Sequence, residues 1–410
     1  MRAATLALLH VTAMAGTVAG QALTPRQQLG KLLFFDQALS AQGNQSCASC
    51  HDPKVGWVGA NEAVNRGGGV YEASVPGRFG NRKPPSAAYA TPAPRFRLAD
   101  AVKGEFVGGN FWDGRATGEK LGLPAADQAL GPFLNPLEQA LPDAKALVAK
   151  VCDGSHGTLF REVWGEKACD DVEQAYGFIG LAIAAYEDSR EVNQYSSKYD
   201  AFLTGRVQLS PQERQGLQLF ETKGKCATCH PNKRSLMGQP PAFTDWAYDN
   251  VGVPANPANP FYANAEANPK GKAWVDEGLG GFLAETAQWK QYAPQSLGKH
   301  RTPTLRNVDL RPSPGLVKCY GHNGYFKSLE EVVHFYNTRG TLPACGTARQ
   351  KPGVDCWPKP EVEVNLNTAE MGALGLTGAE EDAIVAFLKT LSDGFEPPKA
   401  AGSPAGRAGR

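Results

Sequence analysis

The chain has 410 residues, 42% of them hydrophobic and 20% charged, with a net charge of +1. That is room for two ordinary domains of globular composition. A charge so near zero shows neither a nucleic-acid footprint nor a polybasic patch for a membrane surface. The 46 Gly and 30 Pro predict long irregular connections between helices.

Residues 1–22 read as a signal peptide. Arg2 gives a positive start, Leu6 to Val18 is apolar but too short to span a bilayer, and Ala19, Gly20 and Ala22 offer a cleavage site. No later segment has the length and apolarity of a spanning helix. The expectation is therefore export to the periplasm with no stable membrane span.

The first predicted helix starts at Thr24-Pro25, a cap followed by proline at the first helical position, and carries Gly30, Leu33 and Phe34. A polar loop then leads into Cys47-Ala-Ser-Cys50-His51. After a long connection, Val172 to Glu191 has Ile179, Ala182, Ile183 and Tyr186 at helical spacing. The pattern then restarts. Leu209-Ser210-Pro211 precedes Gly216, Leu219 and Phe220, and leads into Cys226-Ala-Thr-Cys229-His230. Leu23 and Leu209 are 186 residues apart, as are Phe34 and Phe220. A loop-rich stretch including Val253 to Pro260 follows. Thr377 and Glu380 form a capping box before Ile384, Phe387, Leu388 and Leu391. Each half thus reads as helix, CxxCH, long connection, closing helix. The expected fold is mainly α with few strands: two c-type cytochrome domains, 23–204 and 205–394, and a disordered tail over 395–410.

Two thiols three residues apart lie on one turn and can add across the two vinyl groups of one haem. The adjacent His then ligates the iron. A thioredoxin-like dithiol or a zinc site would use the cysteines but leaves His51 and His230 unexplained. Two covalently bound haem c groups are therefore expected, on Cys47, Cys50 and His51 and on Cys226, Cys229 and His230. Of the other five cysteines, Cys152 with Cys169 and Cys345 with Cys356 are the pairs of shortest separation, leaving Cys319; connectivity stays open at this stage. For further iron ligands the mature chain offers Met237, Met371, His156, His300, His322 and His334.

The first half also contains Phe111-Trp112-Asp113-Gly114-Arg115, then Gln128, Gly131-Pro132 and Asn135-Pro136-Leu137-Glu138. The second contains Arg301-Thr302-Pro303-Thr304-Leu305-Arg306-Asn307, His322-Asn323-Gly324 and Val332-Val333-His334-Phe335-Tyr336-Asn337. Over residues 25 to 393 this pattern resembles the bacterial dihaem cytochrome c peroxidase family, which includes the MauG-type enzymes. The resemblance implies that His51 is the proximal ligand of the peroxidatic haem, with Gln128, Pro132 and Glu138 on its distal side. It makes His230 the proximal ligand of an electron-transfer haem, and Trp112 the indole between the haems. Two features look MauG-like: no His lies between His51 and His156, and Tyr336 stands where other members have an axial Met. The family also implies a Ca2+ between the domains, held by an Asn side chain and backbone carbonyls. Here Lys83 falls at the side-chain position, with Asn81 nearby, and the matching second-domain loop is lengthened around Pro312 to Lys318.

Chemistry points to the same residues. Peroxide cleavage needs an open iron and an acid–base group, and a carboxyl desolvated beside haem, Glu138, has its pKa raised toward a useful range. Gln128 is suited to orient peroxide. Tyr336 as an anionic ligand would stabilise oxidised iron. Trp112 offers an oxidisable ring. His334 lies two residues from Tyr336 and should face elsewhere on a helix. His322 reads as structural, and Arg301 and Arg306 as partners for haem propionates.

Three functions compete. One is a peroxidase reducing H2O2 to water with electrons from a small c-type cytochrome or cupredoxin. The second is a MauG-type enzyme in which peroxide drives both haems to a bis-Fe(IV)-like state that oxidises Trp or Tyr of a partner protein. The third is a dihaem electron carrier with no peroxide chemistry. Monomer and homodimer are both open.

Overall fold

The computed structural model describes residues 22–347 and 349–397. The expected signal peptide and most of the expected tail lie outside them. Among the described residues no helix is long and apolar enough to cross a membrane.

Six helices frame the two CxxCH segments. They are α1 (Pro25–Phe35), α2 (Pro124–Leu134), α3 (Val172–Glu187), α4 (Pro211–Glu221), α5 (Leu329–Thr338) and α6 (Gly378–Lys389). The capping boxes form as the sequence predicts: Thr24 with Gln27, Ser210 with Glu213 and Thr377 with Glu380. The helix expected to run to Glu191 stops at Glu187. Asp188 and Ser189 follow, residues whose side chains compete with helical backbone bonds, and the Ser189 N–H turns back to the Tyr186 carbonyl.

In the first half α1 lies across α3, burying Leu29, Leu33 and Phe34 against Ile179, Ala182, Ile183 and Tyr186. In the second half α4 crosses α6, burying Leu219 and Phe220 against Ala383, Ile384, Phe387 and Leu388. Each fully buried Leu, Ile or Phe contributes about 1.5–3 kcal/mol. The crossings share one detail. A Cβ on Gly30 would stand 1.9 Å from the Ala182 carbonyl oxygen, and one on Gly216 would stand 1.8 Å from that of Ala383. Both helix pairs approach so closely that no side chain fits, which explains why the duplicated sequence carries glycine at each position.

Strand is confined to two short antiparallel pairs among the described residues, Arg97–Asp100 with Glu105–Val107 and Tyr248–Asp249 with His300–Arg301. Phe96, Phe106 and Tyr248 pack with Leu279, Leu283 and Trp289 across the two halves. Arg82 bridges them as well, donating to Asp113 (2.5 Å) and to both oxygens of Asp276 (2.6 Å each). The disulfides are Cys152–Cys169 and Cys345–Cys356, and Cys319 is free and buried.

Candidate active site

Each CxxCH segment forms one tight turn. Cys47–Cys50 is a single helical turn and Cys226–Thr228 a 3-10 turn, so the paired thiols share a face in each. Each following imidazole is fixed by its Nδ1. His51 Nδ1 donates to the Trp57 carbonyl (3.1 Å), and His230 Nδ1 to the Phe243 carbonyl (2.8 Å). A carbonyl only accepts, so Nε2 carries the lone pair in both rings. Burial pushes both imidazole pKa values down to about 4, which keeps them neutral. A neutral imidazole with a free Nε2 and a bonded Nδ1 is a metal ligand in waiting. The two accepting residues share an uncommon backbone: Trp57 has φ 62° and Phe243 φ 54°, in the left-handed region. Bulky residues held there cost about 1–3 kcal/mol, a strain retained where surrounding structure demands it.

Beyond the imidazoles the two sites diverge. Around the second segment lies a cavity lined by Cys226, Cys229, His230, Arg301, Tyr336 and Met371, with apolar walls from Val253, Phe326, Leu329, Val333 and Leu388. Burial, and then the neighbouring Cys229 and Cys226, push the Tyr336 hydroxyl far above its ordinary pKa. His334 turns away, its ring bonded to Glu381 at 3.0 Å. Of the two methionines among the described residues, Met371 is buried in the cavity wall and Met237 is exposed.

Near the first segment lies the polar Glu138, and the polar Gln128 is carried on α2. Gln128 and Pro132 stand one turn apart on α2, each partly buried. Gln128 neighbours Asn110, amide to amide at 3.2 Å. Glu138 follows the helix in a turn closed by its N–H to Asn135 (3.0 Å), while its carbonyl accepts from Ser74 (2.7 Å). Its carboxyl pKa is raised by burial, against the charge of Arg115 and a hydrogen bond from Asn135. It is near enough to Cys50 and Cys47 to raise both thiols. Arg115 stacks over Phe111 at 3.8 Å, and a Cβ on Gly131 would meet that same ring at 3.1 Å. Gln128, Pro132 and Glu138 take no part in the cavity of the second segment; Trp112 does. The Trp112 indole N–H donates to the Lys83 carbonyl (2.8 Å), and its own carbonyl accepts from the Arg301 N–H (2.8 Å). It is therefore held by one residue from each half.

The residues fit two haems. The thiols, the free Nε2 atoms and the apolar cavity match a c-type site, and Arg301 is buried with Nη1 unpartnered on the cavity wall, as a propionate partner requires. Arg306 lines the same cavity, but three of its five N–H groups are taken by protein, two by Asp200 at 2.9 Å each and one by the Pro241 carbonyl at 2.6 Å. Calcium does not fit. Lys83 brings an ammonium where an oxygen donor is needed, and its Nζ donates to the Pro84 carbonyl (3.0 Å).

Two groups escaped the sequence. Glu187, at the end of α3, is buried beside Cys47, and burial pushes its carboxyl up to about 8. Its place as the last residue of a core helix gave no signal. His300 and His322 stack at 3.6 Å over the Asp276 carboxylate that Arg82 holds. No spacing in the sequence linked His322 to His300 or Asp276.

Residues 24–208 match the family described as Di-haem cytochrome c peroxidase. The chain is 34% identical over 404 residues to the methylamine utilization protein MauG of Paracoccus denitrificans, covering 97% of each. It is 27% identical to the cytochrome-c peroxidase IdrP2 of Denitromonas iodatirespirans, covering 94% of this chain and 90% of that one. The crystal structure of the diheme peroxidase BthA from Burkholderia thailandensis superposes with a TM-score of 0.74 at 34% identity, over 91% of this chain and 87% of the other. With likeness running through both halves, the chain belongs to the di-haem cytochrome c peroxidase family.

Proposed function

We propose that the protein is an exported dihaem peroxidase that reduces H2O2 to water, drawing electrons from a small c-type cytochrome or cupredoxin. The observation that carries this reading is Glu138, a partly buried carboxyl of raised pKa beside the first CxxCH segment. Haem, when bound, supplies the iron that takes the peroxide oxygen and passes electrons to it. His51 would hold the first haem. The Glu138 carboxylate accepts the proton from the inner peroxide oxygen and returns it to the outer one, which leaves as water. Gln128 and Pro132 shape the distal space and orient the peroxide. His230 and Tyr336 would hold the second haem, whose chemistry there would be to carry electrons. Trp112, held by Lys83 and Arg301, joins the two. Export agrees with two disulfides, which persist in oxidising compartments.

Steady-state oxidation of a reduced small cytochrome c by H2O2 tests the reading. The expected result is two electrons consumed per peroxide; no turnover with any reduced cytochrome c or cupredoxin would reject it. Tyr336 in the second cavity favours a second reading, oxidation of Trp or Tyr in a partner protein after the MauG fashion. It predicts that the diferric protein treated with H2O2 gains near-infrared absorption. Ordinary turnover without such a band would remove it.

A further inference from the structure

Lys318 is 3% exposed, at the end of the segment that the sequence reads as lengthened. Its Nζ donates to three backbone carbonyls, Val55 (2.9 Å), Asn307 (3.0 Å) and Leu310 (3.0 Å). Val55 closes the turn just after His51, while Asn307 and Leu310 belong to the second half. No carboxylate bonds the ammonium; the adjacent Asp309 is taken by Arg311. Three N–H groups meet three carbonyls, so the protonated form is the one this cradle fits. Burial, then Lys83 and Arg311, push its pKa down to about 7.

The cradle is built to close tolerance. Gly56 has φ 78°, and a Cβ there would stand 2.7 Å from the Asn307 carbonyl oxygen, so the halves meet here only because that residue is glycine. Asn307 itself has φ 59°, and its side chain is pinned to Asp393 at 2.9 Å. Converging carbonyl oxygens from two segments are the donor set of a hard cation. A divalent ion entering this region would face the buried ammonium groups of Lys318 and Lys83.

We propose that the Lys318 ammonium is a built-in cation that ties the two halves together in place of a bound calcium ion. The protein then holds its two CxxCH segments in register without any divalent metal, and the lengthened segment exists to deliver this side chain. This inference does not depend on which peroxide chemistry the protein performs.

Metal analysis and melting of the diferric holoprotein at about pH 6, where Lys318 is protonated, test it first. The expected result is less than about 0.1 calcium per chain, with no change in melting temperature or haem spectrum on adding EGTA or CaCl2. Calcium held one to one, or a chelator-induced fall in melting temperature, would overturn the proposal even if no variant could be purified. The variant Lys318→Met leaves three buried carbonyls unpaired and should lower the melting temperature by about 5 °C or more. Lys318→Ala should recover at least half of its loss in ammonium or calcium chloride, beyond what choline chloride of equal ionic strength restores. A Lys318→Met protein melting with the wild type, or a Lys318→Ala protein indifferent to cation identity, would sink the idea.

Discussion

The two CxxCH segments are built alike up to the imidazole and differently beyond it. Both sit where a glycine-bearing helix crosses a closing helix, Gly30 on Ala182 and Gly216 on Ala383. Both fix the His Nδ1 on a carbonyl whose residue is held at positive φ. Beside the first segment lies Glu138, with Arg115 near its carboxyl; around the second are Tyr336, Met371 and an apolar wall. A duplicated scaffold sets the two imidazoles alike, while unrelated segments make their surroundings differ.

Removing one attachment site breaks the comparison most completely. Cys47→Ala with Cys50→Ala should reduce covalent haem, read by the pyridine haemochrome, from two per chain to one, and peroxide turnover to background. The same pair of changes at Cys226 and Cys229 should also leave one haem, with a first haem that still reacts with peroxide but no longer oxidises cytochrome.

Glu138→Gln isolates the distal carboxyl. The rate constant for the reaction with H2O2 should fall by about 10²- to 10³-fold in stopped-flow mixing. The sign of the pH effect follows from the raised pKa. The carboxylate must be ionised to accept the peroxide proton, so wild-type rate falls as pH drops through a value above that of an ordinary Glu. The Gln variant should lose that limb of the profile. If it retains the limb, Glu138 is not the group that titrates.

Tyr336 and Met371 line one cavity and separate two ligand assignments. Tyr336→Phe should shift the potential of the second haem upward, on the order of 100 mV, and change its low-spin EPR signal. Met371→Leu should leave both unchanged. The reverse pattern would give the iron to Met371.

The smallest expected effect tests the shared scaffold. Gly30→Ala and Gly216→Ala should each destabilise the holoprotein by about 1–3 kcal/mol, read as lower melting temperature with unchanged resting haem spectra. A large loss from one and none from the other would show that the crossings are not equivalent.

What the sequence made legible was local or periodic. The caps at Thr24, Ser210 and Thr377, the apolar faces of α1, α3, α4 and α6, and the repeated CxxCH each lie within a few turns of chain. The resemblance supplied Glu138, Tyr336 and Trp112, whose partners no spacing encodes. The misses were contacts between distant segments. Arg306 reads as a free cation until Asp200 is seen 106 positions away, and Lys318 gives no sign that the carbonyl of Val55, 263 positions earlier, accepts its hydrogen bond. Such pairs have no period, and loops made of Gly and Pro carry no face from which to infer them.

The cysteines pose a problem of maturation. Four become cystine, at separations of 17 and 11 residues, and four sit as thiols three residues apart. With the covalent attachment that the two CxxCH motifs predict, both fates must be reached in one compartment. An oxidant strong enough to form Cys152–Cys169 also meets Cys47 and Cys50, whose tight turn makes them quick to pair with each other. Haem can add only to thiols, so a reductant must reopen such turns while sparing the two cystines, each half-buried. Assembly is therefore a sorting problem, and yield from a foreign host should depend more on its thiol reductase than on its supply of haem.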